Sequence, residues 1–191
     1  MGADRRRGRN AGVLMVDRRR LALGGIVGPL AFITCWAVGG LLTEGYSPID
    51  DAISRLAAVD ADTRWLMSTG FVLFGVGVPL FGLALREVLP GRAWIGAVVT
   101  GLATLGVALL PLDVSDTVDA LHGVAAGTGY VALAALPLLA VRPLRAAGEH
   151  RAATASLVVG LLIAAALLLT PIPAINGLAQ RTGLTLGDLW I

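Results

Sequence analysis

Residues 21–43 read LALGGIVGPLAFITCWAVGGLLT, directly behind Arg18, Arg19 and Arg20, and contain no acidic or basic side chain. A helix needs about 20 mostly apolar residues to cross the hydrocarbon core of a bilayer, so this stretch reads as a membrane span. Four more charge-free runs follow, at residues 65–85, 93–110, 121–141 and 152–170. None alternates with period two, and each is too long for a barrel strand. The sequence therefore predicts an all-α, polytopic transmembrane helix bundle with five spans.

Composition agrees. Apolar residues make up 56% of the 191 residues and charged residues 15%, against about a quarter charged in an ordinary soluble domain. The charges are also segregated into the short segments between the apolar runs. All fifteen basic residues are Arg, and the net charge of +2 conceals a dipole between two sides, so a basic pI gives no reason to expect a nucleic-acid partner. Cys35 is the single cysteine and sits in an apolar run, which predicts a buried structural thiol.

Arg counts in short loops set the orientation. With the N-terminus cytoplasmic, the inner segments hold Arg5, Arg6, Arg7, Arg9, Arg18, Arg19, Arg20, Arg86, Arg92, Arg142, Arg145 and Arg151. The outer segments hold Arg55, Arg64 and Arg181, together with Glu44, Asp50, Asp51, Asp60, Asp62, Asp113, Asp116, Asp119 and Asp188. The first apolar run is longer than a signal-peptide core and lacks a small-x-small site behind it, so it is read as retained. Three regions result: residues 1–20, an Arg-rich cytoplasmic tail, largely disordered and attracted to anionic inner-leaflet lipids; residues 21–170, the five-helix transmembrane domain; and residues 171–191. The last segment contains Asn176, Gln180, Arg181 and Asp188, which predicts a non-spanning external surface segment, with Trp190 as an interfacial anchor and the C-terminus outside.

Gly24 with Gly28, and Gly123 with Gly127, have the small-xxx-small spacing that lets helix backbones approach. Tight packing within the chain is preferred to a dedicated dimer motif.

Two outer loops concentrate polar chemistry. In the first, Ser47 suits a helix cap, Pro48 a first helical position, and Asp50 and Asp51 the positive dipole end. Ile49, Ile53 and Leu56 then share a face, which predicts a short outer amphipathic helix. In the second, Pro111 ends the third span, Ser115 caps the fourth, and Asp119 and His122 fall three apart on one face. The candidate ligand-binding set is Asp50, Asp51, Ser54 and Arg55 from the first loop with Asp113, Asp119 and His122 from the second. For each acid the plainer reading is dipole complementation at a helix start, and for His122 a structural hydrogen bond. Both loops lie over one small bundle, so they are expected to meet.

Pro29, the Gly45-Tyr46-Ser47-Pro48 and Ile53-Ser54-Arg55-Leu56 segments, Gly70-Phe71, Pro111 with Asp113, and His122 together make the chain resemble the bacterial and archaeal integral membrane family catalogued as domain of unknown function 998. The resemblance runs from about Leu21 to Arg181. It implies a membrane bundle, drawn with about six spans, and supplies no reaction; it draws attention to Tyr46, Ser54, Arg55, Asp113 and His122.

The preferred function is a non-enzymatic multi-pass protein of the plasma membrane, whose outward acidic and polar pocket binds a small ligand, a lipid headgroup or a membrane partner. The alternative is a membrane-embedded metal-dependent hydrolase using the outer Asp and His residues. A catalytic zinc normally takes three protein ligands, whereas His122 and His150 are the only imidazoles and fall on opposite sides. No cofactor is expected: the span interiors offer no axial pair for haem. There is no phosphate-cradling glycine loop or serine elbow. Ion-coupled transport is disfavoured because the five apolar cores carry no Asp, Glu, Lys or Arg.

Overall fold

The computed structural model describes residues 18–191 in full, and residues 3–17 only as the leading backbone turns of the first helix. Of the tail expected to be largely disordered, residues 3–20 thus fall within that helix, while the side chains of residues 1–17, and with them the expected lipid partnership, lie outside the described residues. Among the described residues six α-helices follow one another: α1 (Ala3–Leu42), α2 (Arg64–Val88), α3 (Ala93–Leu109), α4 (Asp116–Ala146), α5 (His150–Leu169) and α6 (Asn176–Trp190). Short 3-10 helices sit at Ile53–Ala57 and Pro173–Ile175, and the described residues contain no strand.

Among the described residues, four helical stretches are long and apolar enough to cross a membrane: Arg18–Leu42, Arg64–Val88, Asp116–Ala146 and His150–Leu169. The third expected span, α3, is equally apolar but has 17 residues, about 25 Å of helical rise. The expected five spans thus become four long candidates and one shorter helix. Each helix packs mainly on its neighbours in the chain, and α6 also touches α4 and α1, closing the bundle.

Close approach is paid for in side-chain volume. A Cβ on Gly24 would strike the carbonyl of Gly77, and one on Gly28 would lie 3.4 Å from the Gly77 Cα, so this small-xxx-small pair serves α1–α2 packing within the chain. Gly101 of α3 faces the ring of Pro79 of α2 in the same way. Between the helices Phe32, Met67, Phe74, Val78, Leu133, Leu136 and Ile163 form the core, with Cys35 buried beside Gly70. Leu30, Leu41, Leu102, Leu109, Val124, Val131, Leu161 and Leu168 point outward, an apolar belt that water would not tolerate and lipid would.

The last helix departs from expectation. Rather than lying along an outer surface, α6 turns back beside α5: Gly183 meets Tyr130 and Ala166, Gly187 meets Leu133, and Ile191 reaches Gly25 near the start of the apolar part of α1. The Trp190 indole donates to Ser156 Oγ at 2.9 Å, so this residue ties two helices together. The reason lies in the spacing of its polar groups. Arg181 and Asp188 are seven residues apart and share one side of the helix; both are buried, and Leu178, Thr182 and Leu189 face outward.

One end of the bundle, the capped end, carries residues 43–63, 110–115 and 170–175. The other, the arginine end, carries Arg18–Arg20, Arg86, Arg92, Arg142, Arg145, Arg151 and the Ile191 terminus, all of these arginines exposed.

Candidate functional site

The capped end is built around Ile53–Ala57. The expected short amphipathic helix is present over only five residues, as a 3-10 helix with Ile53 and Leu56 buried and Arg55 exposed, and Ile49 lies outside it. Ser47 instead makes a self-contained turn: its Oγ donates to Asp50 Oδ2 at 2.7 Å, its amide donates to Asp51 Oδ2 at 2.8 Å, and the Asp50 amide donates to Ser47 Oγ at 3.2 Å. The carbonyls of Pro48 and Asp51, which an α-helix would offer to amides four residues later, accept from Arg181 Nη1 at 2.9 Å each. The chain here closes as a 3-10 turn, with the Arg55 amide donating to the Ala52 carbonyl. Ile53, Ser54, Leu56 and Ala57 point into the bundle as a plug, and Ile49 stays exposed.

Residues of α6 anchor that plug. Gln180 Oε1 accepts from the Ile53 amide at 2.6 Å, and the Leu178 amide donates to the Ile49 carbonyl at 2.8 Å. Arg181 Nη1 also donates to Gly177 O, Nη2 donates to the Tyr46 hydroxyl, and the guanidinium lies 5.4 Å from the Trp36 ring centroid and 5.3 Å from that of Tyr46. Burial pushes the Tyr46 phenol above its usual range, the neighbouring Arg181 charge and hydrogen bond opposing and Asp51 adding to the shift.

The two outer loops meet. Arg55 Nη1 contacts both carboxylate oxygens of Asp113 at 3.0 Å, and the Val59 amide donates to the Leu112 carbonyl at 3.1 Å. Asp113 adopts φ +68°, and its amide donates to Asp119 Oδ1 at 3.0 Å; an aspartate tolerates this left-handed conformation better than most residues. Ser115 caps α4 as expected, accepting from the Val118 amide. His122 is buried, with Nδ1 2.6 Å from the Leu110 carbonyl and Nε2 without a partner. Of the seven candidate residues, Arg55, Asp113 and Asp119 thus form one connected group at the surface. Asp50 and Asp51 close their own turn, Ser54 points inward, and His122 braces α4 against the end of α3.

Beneath the plug lies a cavity of about 50 Å³, lined on its polar side by Ser54, Thr100, Thr104, Tyr130 and Gln180, and on its apolar side by Phe32, Phe71, Phe74, Val107 and Leu184. That volume suits a few water molecules; a drug-sized ligand needs several hundred Å³. The Tyr130 hydroxyl donates to the Gln180 carbonyl, joining α4 to α6 at the cavity wall. Among the described residues, no three His, Cys, Asp or Glu side chains converge into a metal-ligand set.

Sequence reasoning missed Gln180, Arg181 and Asp188 as interior residues. Charge and polarity in a short segment predict exclusion from the bundle, whereas Gly177, Arg181, Leu184 and Asp188 recur at the i, i+4, i+7, i+11 spacing of one helical face. Together with Gly183 and Gly187, that pattern signals a helix with an inward polar stripe. Seven residues place Arg181 and Asp188 about 10.5 Å apart along the axis, where an effective dielectric near 20 gives about 1.6 kcal/mol of attraction. Desolvation costs several kcal/mol per ion, so each charge has to be balanced locally. Carbonyls and aromatic faces do so for Arg181; no described group does so for Asp188.

No curated protein and no solved structure matches the chain. A family model does match residues 26–191, a range that takes in the plug, both outer loops and the whole of α6, and the chain belongs to that family, described as protein of unknown function (DUF998).

Proposed function

We propose that this is a non-enzymatic multi-pass protein of the plasma membrane, with its arginine end cytoplasmic, that admits a small polar ligand through its outward capped end. The observation that carries this reading is the Ile53–Ala57 plug, seated over a half-open cavity with Ser54, Thr100, Thr104, Tyr130 and Gln180 in its wall. Arg55 and Asp113 latch the plug from outside, with side chains 52% and 41% exposed. An ion pair so exposed contributes at most about 1 kcal/mol, which suits a latch that opens. Eight carboxylates, from Glu44 to Asp119, surround that end against Arg55 and Arg64, and their field favours a cationic or neutral ligand over an anionic one. The exposed arginines at the opposite end have anionic inner-leaflet lipids as their partners. The hydrolase reading finds no metal-ligand set among the described residues.

The test places a thiol in the cavity wall. In a Cys35→Ser background, Ser54→Cys is exposed to a charged, membrane-impermeant methanethiosulfonate added from outside. Labelling is expected to be slow with the latch intact and several-fold faster once Asp113→Asn or Arg55→Ala is added, in line with about 1 kcal/mol. Labelling that ignores the latch, or that occurs only from the cytoplasmic side, overturns the proposal.

A further inference from the structure

Asp188 continues the inward stripe of α6 beyond the cavity. Along that stripe Gly177 lies against the carbonyls of Pro48 and Asp51, Arg181 stacks on Trp36 and Tyr46, and Leu184 lines the cavity wall. Asp188 is 7% exposed, and neither carboxylate oxygen has a hydrogen-bond partner. Against this end of α6 lie the uncharged side chains of Leu133 of α4 at Gly187, Ser156 of α5, whose hydroxyl accepts from Trp190, and Phe81 of α2 with Gly25 of α1 beside Ile191, while the arginines of that end are exposed. The titratable groups nearest along α6 are Tyr130 of α4, whose hydroxyl lies against Gly183 and donates to Gln180, and Arg181, whose guanidinium is taken up by carbonyls and by Tyr46.

A carboxylate in such surroundings persists only if something neutralises it, and intramembrane acids mark the places where ions or protons are handled. The packing narrows what that is. One carboxylate is balanced by one positive charge, whereas a divalent ion would leave net charge buried, and Asp188 belongs to no cluster of three His, Cys, Asp or Glu among the described residues that would share it. We propose that the Asp188 carboxylate is a binding site, inside the bundle, for a small monovalent cation, H⁺ or Na⁺. The site is separate from the plug: it lies toward the arginine end, and it stands whether or not a ligand enters beneath Ser54. It also reverses the ground on which ion-coupled chemistry was disfavoured, since α6 brings an acid into a bundle whose other helix cores carry none.

A hydrophobic carbodiimide reports on such a site, because it reaches carboxyl groups from the lipid phase and adds to the protonated form. The whole protein in liposomes is treated with dicyclohexylcarbodiimide across about pH 5 to 9, in sodium chloride or choline chloride, and the adduct is located by peptide mass. The expected result is an adduct on Asp188 that forms more slowly as pH rises and is absent from Asp188→Asn. Slowing by sodium at fixed pH assigns Na⁺ as a competing occupant, and indifference to sodium assigns the proton alone. Thermal unfolding gives a second reading: the dependence of wild-type stability on pH or sodium should be reduced in Asp188→Asn. Absence of any Asp188 adduct across the whole pH range overturns the proposal, as does an Asp188→Asn variant that keeps the full wild-type response to pH and sodium. Labelling is read on the unaltered protein, so the result does not depend on the variant folding.

Discussion

Arg181 concentrates at one residue what holds the capped end in place. Its guanidinium reaches three carbonyls, from Pro48, Asp51 and Gly177, and the Tyr46 hydroxyl, with the rings of Trp36 and Tyr46 on its faces. Such a set needs a flat, forked cation; an ammonium of equal charge has three donors and no plane to stack. Arg181→Lys is therefore expected to cost about 1–3 kcal/mol, because at least one buried carbonyl loses its donor and the aromatic stack is lost. Thermal unfolding of the detergent-solubilised protein, followed by circular dichroism, measures it. A change below about 0.5 kcal/mol, typical of surface substitutions, would mean that charge alone anchors the plug. Asp113 shows the opposite economy: its contacts with Arg55 and Asp119 lie at the surface, so its replacement is felt in access to the cavity rather than in stability.

At the scale of elements, the four long helices and α3 follow directly from runs of apolar residues, because a span is a one-dimensional property that hydropathy captures. The Ile53–Ala57 plug and α6 do not, and for one reason. Each leans on the other: carbonyls of the segment leading into the plug accept from Arg181, and Arg181 holds its buried position on α6 through those carbonyls. Pairings 130 and 133 residues apart in the chain leave no local trace beyond polar spacing. The meeting of the outer loops was legible, since consecutive helices constrain both. The inward turn of Ser54 was not, because it depends on the 3-10 twist. Glycines test the helix packing. A Cβ at Gly187 would come within 2.6–2.7 Å of the Leu133 side chain, whereas Gly123 and Gly127 have nothing within 4 Å. Gly187→Leu should overpack the α4–α6 contact by about 1–3 kcal/mol and raise amide exchange over residues 176–191. Gly123→Leu should leave both within about 0.5 kcal/mol of wild type, as for an uncrowded position. Equal effects at the two sites would show that α6 is not packed on α4 as described.

For the whole molecule, the return of α6 changes the side on which the chain ends. Ile191 lies beside Gly25 and Phe81 at the arginine end, and Arg181 leaves the loop count altogether because it is buried. Eight exposed arginines, Arg18, Arg19, Arg20, Arg86, Arg92, Arg142, Arg145 and Arg151, then stand against Arg55 and Arg64 at the capped end, a bias that supports the proposed cytoplasmic placement of the arginine end. At 15 residues α6 rises about 22 Å, less than the roughly 30 Å hydrocarbon core. It can nevertheless enter from the capped side and carry the terminus toward the arginine end, because the helices around it shield its polar stripe from lipid. Both termini are thus expected on the cytoplasmic side. Reporter fusions check this: a cytoplasmic-active reporter after Ile191 should give signal, as should one in the Ala147–Glu149 turn, while one at Asp60 should be silent there and active as an external reporter. An external signal after Ile191 would mean that α6 lies on the outer surface after all, and would remove both the plug's anchor and the cation site from the membrane interior.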